Sequence, residues 1–238
     1  MLQLYQYEVC PYCCKVKAVL DYKKIPYEKI EVNPMTHEEM AGIPQAMKHD
    51  KVPVLMDGDK VIVESNDIIC YLEEKFPPKP ILAKSKEGMV EQEKWLKYAD
   101  EELVQILPGN IYRNLSEALG SFKYITKVGK FPKWKRYYLA LGGAIAMTIV
   151  AKKGMKKRGI KDPRKALQQT LEKWEQALGP KKFMGGESPD VADLVSYGIL
   201  NSVREMKVWD FISSHKKTRD WFERVRKTTS HLEVPHQR

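Results

Sequence analysis

A Cys-x-x-Cys pair set between a short strand and a helix leaves few folds open to a chain, and Cys10-Pro11-Tyr12-Cys13 has those surroundings. Before it, Leu2-Gln3-Leu4-Tyr5-Gln6-Tyr7 alternates as a β-strand does. After it, Lys15-Val16-Lys17-Ala18-Val19-Leu20 reads as helix, with expected bounds near Pro11 and Lys24. A thiol at a helix start meets unpaired backbone N–H groups and the positive end of the helix dipole. Both favour thiolate, so Cys10 is expected to titrate below the roughly 8.5 of a free cysteine. Pro11 suits the first turn, where its missing N–H costs nothing. Cys13 can attack a disulfide formed at Cys10 and resolve it. Cys14 faces another side of the helix and is expected in the core. Cys70 lies in a later apolar helix and is expected to pack there.

The next 65 or so residues alternate strand and helix signals. Pro26 to Val32 reads as a second strand ending at Asn33-Pro34. Thr36 with Glu39 has capping-box spacing and predicts a short helix ending before Lys48. Lys51 to Met56, Asp57-Gly58 and Lys60 to Val63 predict a hairpin, with Pro53 at an edge or in a special turn. Ser65 opens a third helix, with Ile68, Ile69, Leu72 and Phe76 at helical spacing. The order β-α-β-α-β-β-α with a Cys-x-x-Cys after the first strand is the thioredoxin-like pattern. It defines a first domain over residues 1–76. Pro77-Pro78-Lys79-Pro80 makes a stiff linker, placed at 77–84. Residues 85–238 give no strand signal. Helices are expected over 87–107, 116–128, 133–153, 163–178, 191–205 and 218–229. Asp190-Val191-Ala192-Asp193 supplies the sharpest start, and both aspartates are read as structural. The fold class is α/β followed by all-α.

Composition narrows the function. Four cysteines in 238 residues, three within five positions, point to thiol chemistry in a reducing compartment, not to a disulfide scaffold. Met1 runs directly into the first strand, so no secretory leader is expected. The longest apolar run, Tyr137 to Ala151, is shorter than a membrane span and contains Gly142-Gly143. It predicts a buried helix close against a neighbour. The net charge of +10 is uneven: residues 1–80 hold 10 Lys and Arg against 13 Asp and Glu, the rest 31 against 18. The basic cluster from Lys152 to Lys165 is read first as a solvated, mobile connection and second as a contact for an anionic membrane surface. Nucleic acid is not an expected partner, because no aromatic interleaving or known module accompanies these charges. No metal site is expected. The location is cytoplasmic or peripheral on membranes.

The cysteine pair, Val52-Pro53, Glu64-Ser65, the proline linker and the Asp190–Asp193 cap together resemble the glutathione transferase superfamily. Within it, Leu4-Tyr5-Gln6-Tyr7, Glu31-Val32-Asn33-Pro34, Lys51-Val52-Pro53, Asn110-Ile111-Tyr112-Arg113, Glu117-Ala118-Leu119 and Phe183-Met184-Gly185-Gly186 look like the membrane-associated prostaglandin E synthase type 2 family. The resemblance implies a thioredoxin-like domain followed by a transferase-type helical one, and glutathione as cofactor. Val52-Pro53 would form the family's cis-proline turn and pair with the cysteinyl backbone of glutathione. Glu64 and Ser65 would hold its γ-glutamyl end, and Lys51 its glycyl carboxylate. Tyr7 would donate to the thiolate or to a substrate oxygen.

The implied reaction isomerises the prostaglandin H2 endoperoxide to prostaglandin E2, with the lipid in an apolar, basic-rimmed groove between domains. A glutaredoxin-like thiol transferase, or a cysteine-type glutathione transferase acting on dehydroascorbate or glutathionyl conjugates, is the rival. A glutathione- or haem-binding protein with little catalysis is a third. Gln105 stands where the family's haem-pocket histidine is expected, which argues against haem. A homodimer is a further implied partner, although the long insertion of animal members is missing here.

Overall fold

A computed structural model of the chain describes residues 1–129, 131, 134 and 136–229. Four strands, β1 (Leu2–Gln6), β2 (Tyr27–Glu31), β3 (Val54–Asp57) and β4 (Lys60–Val63), form one mixed sheet in the order β2-β1-β3-β4. β1 runs parallel to β2 and antiparallel to β3. The register sorts side chains by face. Leu4 pairs with Leu55, and both enter the large core beneath α1 (Pro11–Lys23) and α3 (Ser65–Lys75). Tyr5 pairs with Val54 on the opposite face, where they meet Cys13, Val32, Met40 and Ala46 in a smaller cluster. The hairpin turn is Gly58-Asp59, and Gly58 takes a φ of +59° that glycine adopts without steric cost.

The helical part begins with α4 (Lys86–Lys97), passes through a π-helical turn at Tyr98–Leu103 and continues as α5 (Val104–Ile111). Then come α6 (Leu115–Val128), α7 (Arg136–Lys157), α8 (Pro163–Leu178), α9 (Val191–Asn201), α10 (Val208–Ser214) and α11 (Lys216–Thr229). Its centre is aromatic: Trp174 lies 5.3 Å from Trp95 and 4.8 Å from Trp221, both edge-on. Asp190 caps α9 in a full capping box. Asp193 accepts from the N–H groups of Met184, Gly185 and Asp190 and from the Trp221 indole. Burial and the neighbouring Asp190 push this carboxyl up to about 7.

The two parts share α1. Across from Cys14 and Lys15, α9 carries Gly198, where a Cβ would stand 2.4 Å from the Cys14 carbonyl oxygen. The proline linker is clipped down by Lys23. Its buried ammonium reaches the carbonyls of Phe76, Pro78 and Lys79 and lies 2.7 Å from Glu73.

Several sequence expectations need correction. Thr36 caps no helix: Glu39 turns its carboxylate to the Asn33 N–H, only a 3₁₀ turn forms at Glu38–Met40, and α2 (Pro44–His49) starts afresh at Pro44. The expected start of a helix at Lys133 lies outside the described residues. The helix itself, α7, buries only Ala140, Ala144, Ala151 and Met155, while Tyr137, Tyr138, Leu141, Ile145, Ile149 and Val150 are exposed. Its close approach to a neighbour holds on one side alone, where Gly143 leaves room for the Phe122 ring on α6. Cys70 is exposed, because α3 turns Ile68, Ile69 and Leu72 inward and leaves position 70 toward solvent. The basic cluster is only in part a connection: Lys152 to Lys157 form the last turns of α7, Arg158 and Lys161 lie between α7 and α8, and Arg164 on α8 stacks 4.5 Å over Phe211. Among the described residues, no helix is long and apolar enough to cross a membrane.

Candidate functional site

Cys10 is the N-cap of α1, with extended backbone (φ −77°, ψ 121°), and is partly exposed. Its own N–H is spent on the Tyr7 carbonyl at 3.0 Å, and its carbonyl accepts from Cys14 at 2.9 Å. The Cys13 thiol hydrogen-bonds to the Cys10 sulfur, the N–H groups of Cys13 and Tyr12 add to it, and Lys17 contributes charge. Together they hold the Cys10 thiol below its ordinary range against the opposing effect of burial. Cys13 is fully buried, and burial followed by the Cys10 contact pushes its thiol well up. The pair is therefore asymmetric, with an anion-prone sulfur at the surface and a protonated donor beneath it. Cys14, pushed up to about 12 by burial, donates to the Glu8 carbonyl and is chemically quiet.

Of the other residues marked by the sequence, Tyr7 and Val52 pack in one cluster with Cys10. Val52-Pro53 is a cis peptide immediately before β3. Val52 is buried, two residues before the ladder pair at Val54, and its N–H and C=O take no partner among the described residues. Glu64 is exposed at the N-terminus of α3 with a φ of +65°, and Ser65 behind it is buried. These groups offer a backbone edge, free helix-terminal N–H groups and a carboxylate, which are the donors and acceptors that a γ-glutamyl-cysteinyl peptide requires. Bound glutathione would supply a second thiol beside Cys10. Lys51 is exposed with no partner among the described residues.

Tyr7 departs from expectation. Its hydroxyl is engaged 2.8 Å from His37 Nε2, not with the thiol, and His37 Nδ1 lies 2.8 Å from the Asp50 carboxylate. Burial first, then Cys10, Cys13, Asp50 and Glu31, push the phenol up to about 12. Neither His37 nor Asp50 carries a sequence signal, since they lie 30 and 43 positions from Tyr7 in loops of no periodicity.

A second missed group sits under α1. Lys15 is fully buried, yet its ammonium is bonded to Asp100 at 2.6 Å and Asn66 at 2.9 Å, and Asn66 also donates to Asp100 at 3.0 Å. The π-helical turn brings Asp100 to this point. Its only sequence signal is a lysine between Cys14 and Val16 on a helix that also carries Lys17, Asp21 and Lys23.

One cavity borders the region and another lies away from it. A narrow one, about 100 Å³, lies between Tyr7, Val9 and Pro34 on one side and Ile125, Val128 and Phe131 on the other. A larger one, about 500 Å³, lies wholly within the helical part between α5 and α7, with Arg113, Lys152, Lys156 and Lys161 in its wall. The apolar groove between the two parts and the basic rim are thus separate features. Gln105 donates to the Asp100 carbonyl (3.1 Å) and accepts from Arg158 (2.5 Å), so this position offers no imidazole to haem iron.

The profile of the glutathione S-transferase N-terminal domain matches residues 4–80. Human glutathione transferase theta-2, solved with glutathione and an unknown ligand, superposes with a TM-score of 0.63 at 18% identity, over 97% of this chain and 83% of that one. Prostaglandin E synthase 2 of Mus musculus is 29% identical over 99% of this chain and 72% of its own length. The Danio rerio protein of the same name is 32% identical over 97% of this chain and 72% of its own. That identity runs through both the thiol-bearing and the helical parts, and the chain belongs to the prostaglandin E synthase 2 family, built on the glutathione transferase fold.

Proposed function

We propose that the protein is a glutathione-dependent thiol enzyme that isomerises the prostaglandin H2 endoperoxide to prostaglandin E2. The observation carrying this is the asymmetric thiol pair of Cys10 and Cys13, packed in one cluster with Tyr7, whose ring lines an apolar cleft, in a chain of this family. The Cys10 thiolate attacks one endoperoxide oxygen. An S–O bond forms as the O–O bond breaks, and the freed alkoxide takes up a proton. The carbon bearing the sulfur-bound oxygen then loses its proton, the C–H pair becomes the ketone π-bond, and the S–O pair returns to sulfur. No net electron or proton is consumed.

Val52 would hold the glutathione backbone, Glu64 and Ser65 its amino-acid end, and Lys51 its distal carboxylate. Ile125, Val128 and Phe131 would exclude water from the lipid. The exposed apolar face of α7 is a surface for anionic lipid: it bears no acidic residue, and Lys152, Lys153 and Lys156 continue the stripe begun by Tyr138, Leu141, Ile145 and Ile149.

The test is a parallel assay of the purified protein with prostaglandin H2, hydroxyethyl disulfide and dehydroascorbate, each with and without glutathione. Glutathione-dependent formation of prostaglandin E2, abolished in Cys10→Ser, is the expected result. Activity on the disulfide alone would replace this reading with a glutaredoxin-like one. Full activity of Cys10→Ser would sink both.

A further inference from the structure

We propose that Tyr7, His37 and Asp50 form a proton relay that runs from solvent to the oxygen-facing side of the Cys10 site. The inference rests on Cys10 being the reacting thiol. Its core is an unbroken chain of two short hydrogen bonds. Asp50, exposed at the C-terminal cap of α2, lies 2.8 Å from His37 Nδ1, and His37 Nε2 lies 2.8 Å from the Tyr7 hydroxyl. Tyr7 in turn lines the apolar cleft and is close enough to both thiols to feel their charge. One end of the chain is wet and the other faces the place where an oxygen anion would develop.

The direction of each bond follows from the carboxylate. Ionised Asp50 can only accept, so His37 Nδ1 must carry hydrogen. In the neutral ring Nε2 is then bare and accepts the Tyr7 O–H, and the phenol turns its lone pairs toward the thiol. When the ring holds a second proton, Nε2–H donates to the Tyr7 oxygen instead. The phenol hydrogen is released and can point at the thiolate or at substrate oxygen. One proton added at the solvent end thus appears as one hydrogen-bond donor at the thiol end.

The groups facing this unit are acidic. Cys10, Cys13, Asp50 and Glu31 surround Tyr7, while Glu39, next but one to His37, is turned away toward the Asn33 N–H. No lysine or arginine is hydrogen-bonded or ion-paired to His37 among the described residues.

The balance of the isomerisation suits such a unit. As the O–O bond breaks, Tyr7 gives its hydrogen to the alkoxide and takes the Nε2 proton, leaving His37 neutral. As the carbon proton is lost, it passes to Tyr7 while the phenol hydrogen returns to Nε2. The relay ends as it began. Tyr7 is the catalytic residue of the three, and His37 and Asp50 are positioning residues that act through it.

The test uses the full chain and its variants Tyr7→Phe, His37→Asn, Asp50→Asn and Tyr7→Phe/His37→Asn. Asparagine tolerates the φ of +50° at position 37 but cannot relay a proton. With prostaglandin H2, His37→Asn should lower kcat by about 100-fold, within the range of one general acid–base group, with KM little changed and the alkaline limb that follows loss of the His37 proton removed from the pH profile. The double variant should be no worse than Tyr7→Phe alone, since the two act as one unit. Losses that multiply would overturn the relay. So would a wild-type pH profile in His37→Asn.

Iodoacetamide alkylation of Cys10 against pH gives a reading independent of substrate. Wild type should show two inflections, and His37→Asn and Tyr7→Phe one. If alkylation behaves so and prostaglandin H2 is not turned over, the relay stands and the proposed substrate falls. An alkylation profile unchanged in His37→Asn overturns the relay whatever the substrate.

Discussion

Cys13 is the residue whose position decides how Cys10 behaves. Buried at the base of the first turn, it keeps its proton and lends it to the sulfur above. Replacing it by alanine removes that donor, so the pH midpoint of Cys10 alkylation should rise from below the ordinary thiol range back toward it. A midpoint that stays put in Cys13→Ala would assign the effect to the helix terminus alone. The cysteine pair and Val52-Pro53 were legible in the sequence because their chemistry is local: four consecutive residues, or two, at a recognisable break between strand and helix. His37 with Asp50, and Lys15 with Asp100, were not. Each depends on residues brought together across 13 or 85 positions by folding. Neither spacing obeys a period that a reader could follow.

Elements were read well wherever one period governed a run, as in β1, α1, α8 and α9, and poorly where two local signals competed. At Thr36 to Pro44 a capping box was outbid by a proline that opens its own helix. In α7 much of the apolar run is exposed, because periodicity reports a stripe and not what covers it. The short α10 was missed, since seven residues contain under two turns of pattern.

The glycines offer a paired test at this scale. Gly198→Ala drives a Cβ into the backbone of α1 and should cost about 1–3 kcal/mol, read from the urea midpoint. Gly142→Ala, in the interior of α7 with open space around it, should instead stabilise by about 0.5–1 kcal/mol. Equal effects would mean that α9 does not press on α1 as described. Asp100→Asn tests the π-helical turn: a fully buried Lys15 that loses its counter-charge should cost about 3–5 kcal/mol. Lys15→Met in that background should restore most of it.

Over the whole molecule, charge and apolar exposure converge on α7. Co-sedimentation with vesicles of phosphatidylserine and phosphatidylcholine should exceed that with phosphatidylcholine alone and fall as salt is raised. Lys152→Glu/Lys153→Glu/Lys156→Glu should lose about 1 kcal/mol of binding per charge, or more by reversal. If light scattering shows a dimer that the exchange Ile145→Glu/Ile149→Glu dissociates, the face is a subunit contact and the lipid reading falls.

The contact of Gly198 with the backbone at Cys14 also bears on modularity. In a small redox carrier the reactive centre is a cassette that can be lifted out with its own hundred residues. Here one wall of that cassette is a helix from the other half, and the same turn of α1 is tied to Asp100 through Lys15. Excising residues 1–80 would uncover an ammonium, an apolar flank and the first turn of the thiol helix together. The centre is common property of both halves, and neither can be traded without the other.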